Sequence, residues 1–209
     1  MSRAVLCEGK RDVRLLERFY ERRDGSVSFD TFHGERHESS ELKSVEGNEL
    51  RRFTGRRNDD DVFLKSEGGV EELKPLLVRL ARPFFYEWQV DVCLVVDLDE
   101  RDHDRWDETS DTDRYDDLVS DLDERVGGIY GRESEVEHEQ FYRKGRHLLA
   151  SSMLFDIERH EPTAFDVLAF RTSLEDAAGI ADGDDDTTED EKLDEFLSGE
   201  GGETIRRVL

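Results

Sequence analysis

Cysteine, lysine and long apolar runs are all scarce in this chain of 209 residues. Its two cysteines, Cys7 and Cys93, both fall inside apolar stretches. They read as buried reduced thiols, which argues against a disulfide scaffold or a cysteine metal site. No apolar run approaches the roughly 20 residues needed to span a bilayer, and the N-terminus lacks the pattern of a secretory signal. A soluble cytoplasmic protein without a membrane partner is therefore expected. A Walker A pattern is missing too, so any ATP-driven step would need a separate ATPase subunit. His103, His138, His147 and His160 lack metal-ligand spacing, and no internal repeat is present.

What the chain has in excess is acid: 54 acidic residues against 30 basic ones, for a formal charge of −24. Lysine occurs only at Lys10, Lys43, Lys65, Lys74, Lys144 and Lys192, and the other basic residues are arginine. Such a charge favours solubility and makes the compact state repel itself at low salt. An acidic, lysine-poor surface on an otherwise ordinary globular pattern resembles that of proteins from salt-loving organisms; an acidic interaction surface is the alternative. At about 1 M salt the Debye length falls to roughly 3 Å. Local basic patches then matter more than net charge in judging whether nucleic acid is a partner.

Two apolar runs end in acid. Ala4-Val5-Leu6-Cys7 leads into Glu8-Gly9-Lys10-Arg11-Asp12, and Val92-Cys93-Leu94-Val95-Val96 leads into Asp97-Leu98-Asp99. Consecutive apolar positions suit a strand covered on both faces in a parallel sheet. Between the two runs, helical spacing predicts a helix from Lys10 to about Arg23, with Val13, Leu16, Phe19 and Tyr20 on its apolar face and Asp12 in its first turn. Ser26 to Phe32 alternates like a strand, 41–53 reads as helical, and Val62 to Lys65 reads as a strand ending at Gly68-Gly69. A helix from about Val70 to Trp88 follows, kinked or broken at Pro83. Strand, helix, strand, helix, strand is the order of a parallel sheet with helices on both faces.

Beyond Asp99 the pattern predicts an acidic loop, 100–111, and a helix from about Thr112 to Val126 ended by Gly127-Gly128. Between 129 and 159 helix and strand fit equally. Val167 to Phe170 reads as a strand, with Ser173 placed to cap a short helix. Residues 181–191 read as a solvated linker, with a short helix near 191–197. The expected division is one domain over 1–209: a core at 3–125, an extension at 126–180 and an acidic tail at 181–209.

The order Glu8-Gly9-x-x-Asp12 after a first strand, Gly68-Gly69 after a second and Asp97-x-Asp99 at the end of a later one resembles the Toprim domain. That family includes primases, topoisomerases, nucleases and recombination mediators of DNA repair. The resemblance covers about residues 3–125. It implies an α/β fold with an open parallel sheet of about four strands flanked by helices, Glu8 as general acid or base, and Asp97 and Asp99 as ligands of Mg²⁺ or Mn²⁺. Glu8 itself is a further candidate ligand, and Glu175, beside Asp176, is the candidate for a second metal.

The chemistry supports such a set on its own terms. Open α/β sheets bind ligands outside the carboxyl ends of their strands, where Glu8, Asp97 and Asp99 are expected to gather. Carboxylates that converge repel unless a hard cation lies between them. Phosphodiester cleavage builds charge on the attacking and leaving oxygens, which a divalent ion stabilises. No tyrosine can be assigned as a covalent nucleophile and no zinc motif is present, so the reading favours a metal-dependent nuclease acting on DNA or RNA. A solvated acidic loop at 97–99, or an ordinary polar strand end at Glu8, would account for the same residues. Phosphate contacts could come from Lys10, from Arg51, Arg52, Arg56 and Arg57, or from Arg143, Lys144 and Arg146; a salt-bridge network fits each arginine-rich group equally. A different class of reading is a non-catalytic Toprim-like module that binds nucleic acid or docks to an ATPase.

Overall fold

The computed structural model describes residues 2–23, 28–33, 61–100 and 112–209. The expected helix at 41–53, the basic residues Arg51, Arg52, Arg56 and Arg57, and most of the acidic loop at 100–111 with His103 lie outside them. The chain divides into two compact units, Met1–Val92 and Cys93–Leu209.

In the first unit, β1 (Arg3–Cys7) is followed by α1 (Lys10–Arg23), β2 (Ser28–His33), β3 (Asp61–Ser66) and α2 (Val70–Ala81). The three strands pair in the order β2-β3-β1, all parallel. Ala4, Val5, Leu6 and Cys7 are each 0% exposed, as a run of apolar residues covered on both faces requires. Val13, Leu16 and Tyr20, with Leu15 and Phe19, bury one stripe of α1, the 3.6-residue period expected of an amphipathic helix. In α2 the buried set is Leu73, Leu76, Leu77, Val78 and Ala81. Pro83 has no N–H to continue that helix, and the backbone widens into a π-helical turn, Arg82–Glu87. The turn closes with the Trp88 N–H on the Pro83 carbonyl at 2.9 Å.

In the second unit, β4 (Asp91–Asp97, whose first two residues belong to the first unit) is followed by α3 (Asp113–Tyr130), β5 (Glu135–Lys144), β6 (Leu148–Asp156) and β7 (Thr163–Phe170). Three helices complete the chain: α4 (Leu174–Ala178), α5 (Asp186–Ser198) and α6 (Glu200–Ile205). The strands pair in the order β4-β7-β6-β5. The β4–β7 pair is parallel, but β7–β6 and β6–β5 are antiparallel. The fold is therefore α/β with a mixed sheet: parallel at β2-β3-β1 and at β4-β7, and antiparallel through β6 and β5, in the stretch expected as an extension. The reason lies in the connections: β5, β6 and β7 follow one another through short turns, which can join only antiparallel neighbours.

One open reading is resolved and two local expectations are corrected. Residues 129–159 hold a hairpin, β5 and β6. Gly127-Gly128 does not end α3, which runs on to Tyr130; the Tyr130 ring packs 6.2 Å from that of Phe155, and this contact carries the helix past two weak helix formers. The segment 181–191 is not a linker throughout, because α5 begins at Asp186 with the Asp185 carboxylate accepting the Thr188 N–H at 2.8 Å. Leu193 and Leu197 of α5 are buried, as are Ile205, Val208 and Leu209, so the expected tail packs as part of the second unit. β5 ends the strand order and is mostly exposed. Among the described residues, no helix is long and apolar enough to cross a membrane.

Candidate functional site

At the C-terminal end of β1 the chain turns through Glu8 and Gly9 into α1. The Asp12 carboxylate reaches back to accept the Gly9 N–H at 2.8 Å. This is the returning half of a capping box, an acid at the third helical position satisfying the N-cap amide. Asp12 is 6% exposed, so in Glu8-Gly9-x-x-Asp12 it acts as a cap while Glu8, half-buried, is the residue the turn presents. A second strand end braces this turn. Because β1 and β3 are parallel, their carboxyl ends coincide, and the Glu67 and Gly68 N–H groups donate to the carbonyls of Cys7 at 3.2 Å and Glu8 at 2.7 Å. Gly68 holds φ +81° to make that approach, a conformation that suits glycine. Beside it, Lys65 and Glu67 form a buried ion pair at 2.7 Å, 5% and 6% exposed. Cys7 and Cys93 are buried free thiols.

The second strand end belongs to the other unit. Asp97 closes β4 half-buried; Leu98 is buried, and Asp99 is exposed with φ +51°. Left-handed backbone is uncommon outside glycine, though aspartate tolerates it better than most residues. Here it turns the chain back along the end of β7. The Leu98 N–H donates to the Phe170 carbonyl at 2.8 Å, Asp99 to Thr172 at 3.2 Å and Glu100 to Arg171 at 2.8 Å. Arg171 is 0% exposed and pairs through Nη1 with the Glu100 carboxylate, itself 9% exposed, at 3.3 Å. Ser173 caps α4 by accepting the Asp176 N–H at 3.1 Å, which places half-buried Glu175 in the first turn at the same carboxyl end.

Sequence reasoning missed the Arg171–Glu100 pair. The signal was an arginine directly after the apolar run 167–170, but Glu100 was hidden among the acids of the loop assigned to 100–111.

Among the described residues, no group of three or more His, Cys, Asp or Glu side chains is placed to hold a metal ion. Asp97, Asp99 and Glu175 thus do not form a three-carboxylate cage. Two aspartates still fit one class of ion. Mg²⁺ is often held by only one or two carboxylates, with water and substrate phosphates filling the other positions.

Of the basic candidates, Lys10 is exposed at the start of α1. Arg143 is engaged by Glu200 at 3.3 Å and Glu203 at 3.2 Å, as the salt-bridge alternative requires. Lys144 Nζ lies 4.4 Å from the Phe141 ring centre, a cation–π contact, and Arg146 is exposed. Phe141, Tyr142, Arg143 and Lys144 line an open groove together with Arg207, a residue distant from them in the chain.

Comparison with protein-family models, with curated proteins and with solved structures finds no match.

Proposed function

We propose that the chain is a Toprim-type enzyme for nucleic-acid phosphodiesters, in its simplest form an Mg²⁺- or Mn²⁺-dependent nuclease. The observation that carries this reading is the Asp97-Leu98-Asp99 segment: two carboxylates at the carboxyl end of a parallel strand, with a left-handed aspartate backbone and three main-chain hydrogen bonds fixing their path. Backbone held in a sparsely populated region is a pointer toward function. Asp97 and Asp99 would hold the divalent ion, which supplies Lewis-acid stabilisation of phosphate oxygens when bound. Glu8 takes the role of proton carrier, on a turn kept in place by the Asp12 cap and the Gly68 amide. Lys10, exposed directly after the capped Gly9, is available for a phosphate contact.

Cleavage of single- and double-stranded DNA and RNA, with Mg²⁺ or Mn²⁺ in molar KCl, tests the reading. The expected result is metal-dependent cleavage lost by at least about 100-fold in Glu8→Gln and in Asp97→Asn, on the scale of a missing acid–base group. Equal cleavage by the wild type and both variants would sink it. A non-catalytic Toprim-like module that binds nucleic acid or an ATPase partner is the second reading. It is favoured by the lack of a three-carboxylate group among the described residues, and nucleic-acid or partner binding without turnover would select it.

A further inference from the structure

Arg171 has an unusual position for a charged residue, with a fully buried side chain at the end of β7. Three of its groups are committed to two segments. Its main-chain N–H donates to the His147 carbonyl at 3.0 Å, Nε donates to the Gly145 carbonyl at 3.2 Å, and Nη1 meets Glu100 at 3.3 Å. Its own carbonyl accepts the Glu100 N–H at 2.8 Å. Residue 100 is therefore held to residue 171 through both main chain and side chain, directly after the two aspartates. The other end of the guanidinium rests on the turn between β5 and β6. That turn has little freedom at Gly145, where an added Cβ would lie 2.9 Å from the Leu148 carbonyl oxygen and 2.8 Å from Glu200 Oε1.

We propose that Arg171 is the positioning residue of the Asp97–Asp99 segment: by clamping Glu100 against the turn at Gly145, it fixes the path on which the two aspartates meet a divalent cation. The proposal rests on the metal-dependent reading above. A planar guanidinium presents donors in several fixed directions, so one side chain can hold two segments at once, which a lysine ammonium on a flexible stem does less well. Groups that orient metal ligands without touching the metal typically alter affinity by 10- to 100-fold when removed.

Electrostatics and positioning predict opposite signs. Removing the Arg171 charge makes the surroundings of Asp97 and Asp99 more negative, which by charge alone tightens cation binding. Positioning predicts that binding weakens. The experiment compares the wild type, Arg171→Met and the double variant Arg171→Met/Glu100→Leu, which keeps the net charge and avoids stranding a buried carboxylate. Mn²⁺ affinity is read from the electron paramagnetic resonance of the free ion in molar KCl. Amide hydrogen exchange at Leu98, Asp99 and Glu100 is read in the same samples without metal, with circular dichroism reporting the fold. Mn²⁺ binding weakened about tenfold or more in both variants, with at least tenfold faster exchange at those three amides, is the result expected. Unchanged or tighter Mn²⁺ binding in a folded variant overturns the proposal. If Arg171→Met does not fold, the double variant decides by the same criteria. Should the wild type itself not bind Mn²⁺, the metal reading fails, and unchanged exchange at the three amides then separately rejects Arg171 as the clamp.

Discussion

Replacing Asp12 separates two roles that its sequence motif confounds. If Asp12 is a cap, Asp12→Ala removes the acceptor of the Gly9 N–H, a charge-assisted bond of 2.8 Å on a carboxylate only 6% exposed. Losing a cap costs typically about 1 kcal/mol, and hydrogen bonds to charged groups run to about 1.5–3 kcal/mol. Gly9 is half-buried, so water recovers part of the loss, and about 1.5 kcal/mol is the working figure. For a chain of this length that corresponds to about 3–6 °C in Tm. Asp12→Asn keeps an acceptor oxygen and should recover more than half of the shift. Salt then distinguishes the cap from a general attraction between the carboxylate and the helix dipole. The dipole term is screened at about 1 M salt, where the Debye length is roughly 3 Å, whereas a direct contact persists. Thermal melts by circular dichroism at low and molar KCl measure all of this. An Asp12→Ala variant that melts with the wild type in molar KCl would refute the cap, and an Asn variant as unstable as the Ala variant would show that charge, not the acceptor, is what matters.

The Tyr115 hydroxyl and Ser151 Oγ lie 2.6 Å apart and fully buried, so Tyr115→Phe or Ser151→Ala alone should each cost about 1–3 kcal/mol while the double variant costs less than the two combined; strict additivity in urea melts would disprove the coupling. Burial also pushes the Tyr115 phenol above the usual tyrosine range, against the opposing pull of that hydrogen bond, so its absorbance should not titrate near pH 10. Partial burial beside Tyr115 and Phe141 lowers the His138 pKa. The folded state then binds fewer protons than the unfolded one, so the stability that His138 contributes is lost as pH falls below about 6.5; a ring titration by NMR with a midpoint at or above 6.5 would contradict this. At Gly202 a Cβ would overlap the Leu197 carbonyl. Because backbone cannot swing aside as a side chain does, Gly202→Ala should destabilise by about 1–3 kcal/mol, as overpacking does, with chemical denaturation as the check. With a net charge of −24, Tm should rise steadily between low and molar KCl, and a flat profile would exclude the salt-adapted reading.

The parts of the fold that were legible in the sequence are those whose residue pattern has one physical solution. β1 and β4 are unbroken apolar runs, α1 keeps a clean helical stripe, and Ser173 sits where a cap is needed. β5 was ambiguous because an exposed strand with two pairing irregularities has no period-two alternation, and Val136 is its only buried residue. α5 was hidden because its cap and first turn use Asp and Thr, the residues that also mark a linker. For the candidate site, the sequence located the two strand ends and their carboxylates. It could not distinguish ligand from cap at Asp12, where the choice is one of side-chain direction within a single turn, or find the Arg171–Glu100 pair, whose partners stand 71 residues apart.

The exposure of β5 also bears on how copies of this chain meet in concentrated salt. A sheet whose last strand lies open invites a second molecule to extend it. Glu135, Glu137 and Glu139 oppose such growth by repulsion, but concentrated salt weakens repulsion within a few ångströms. The two breaks in register, between His138 and Gln140 and between Phe141 and Arg143, are matters of shape and do not weaken with salt. At molar salt it is this irregular outline, more than the acid on it, that opposes edge-to-edge pairing of two copies.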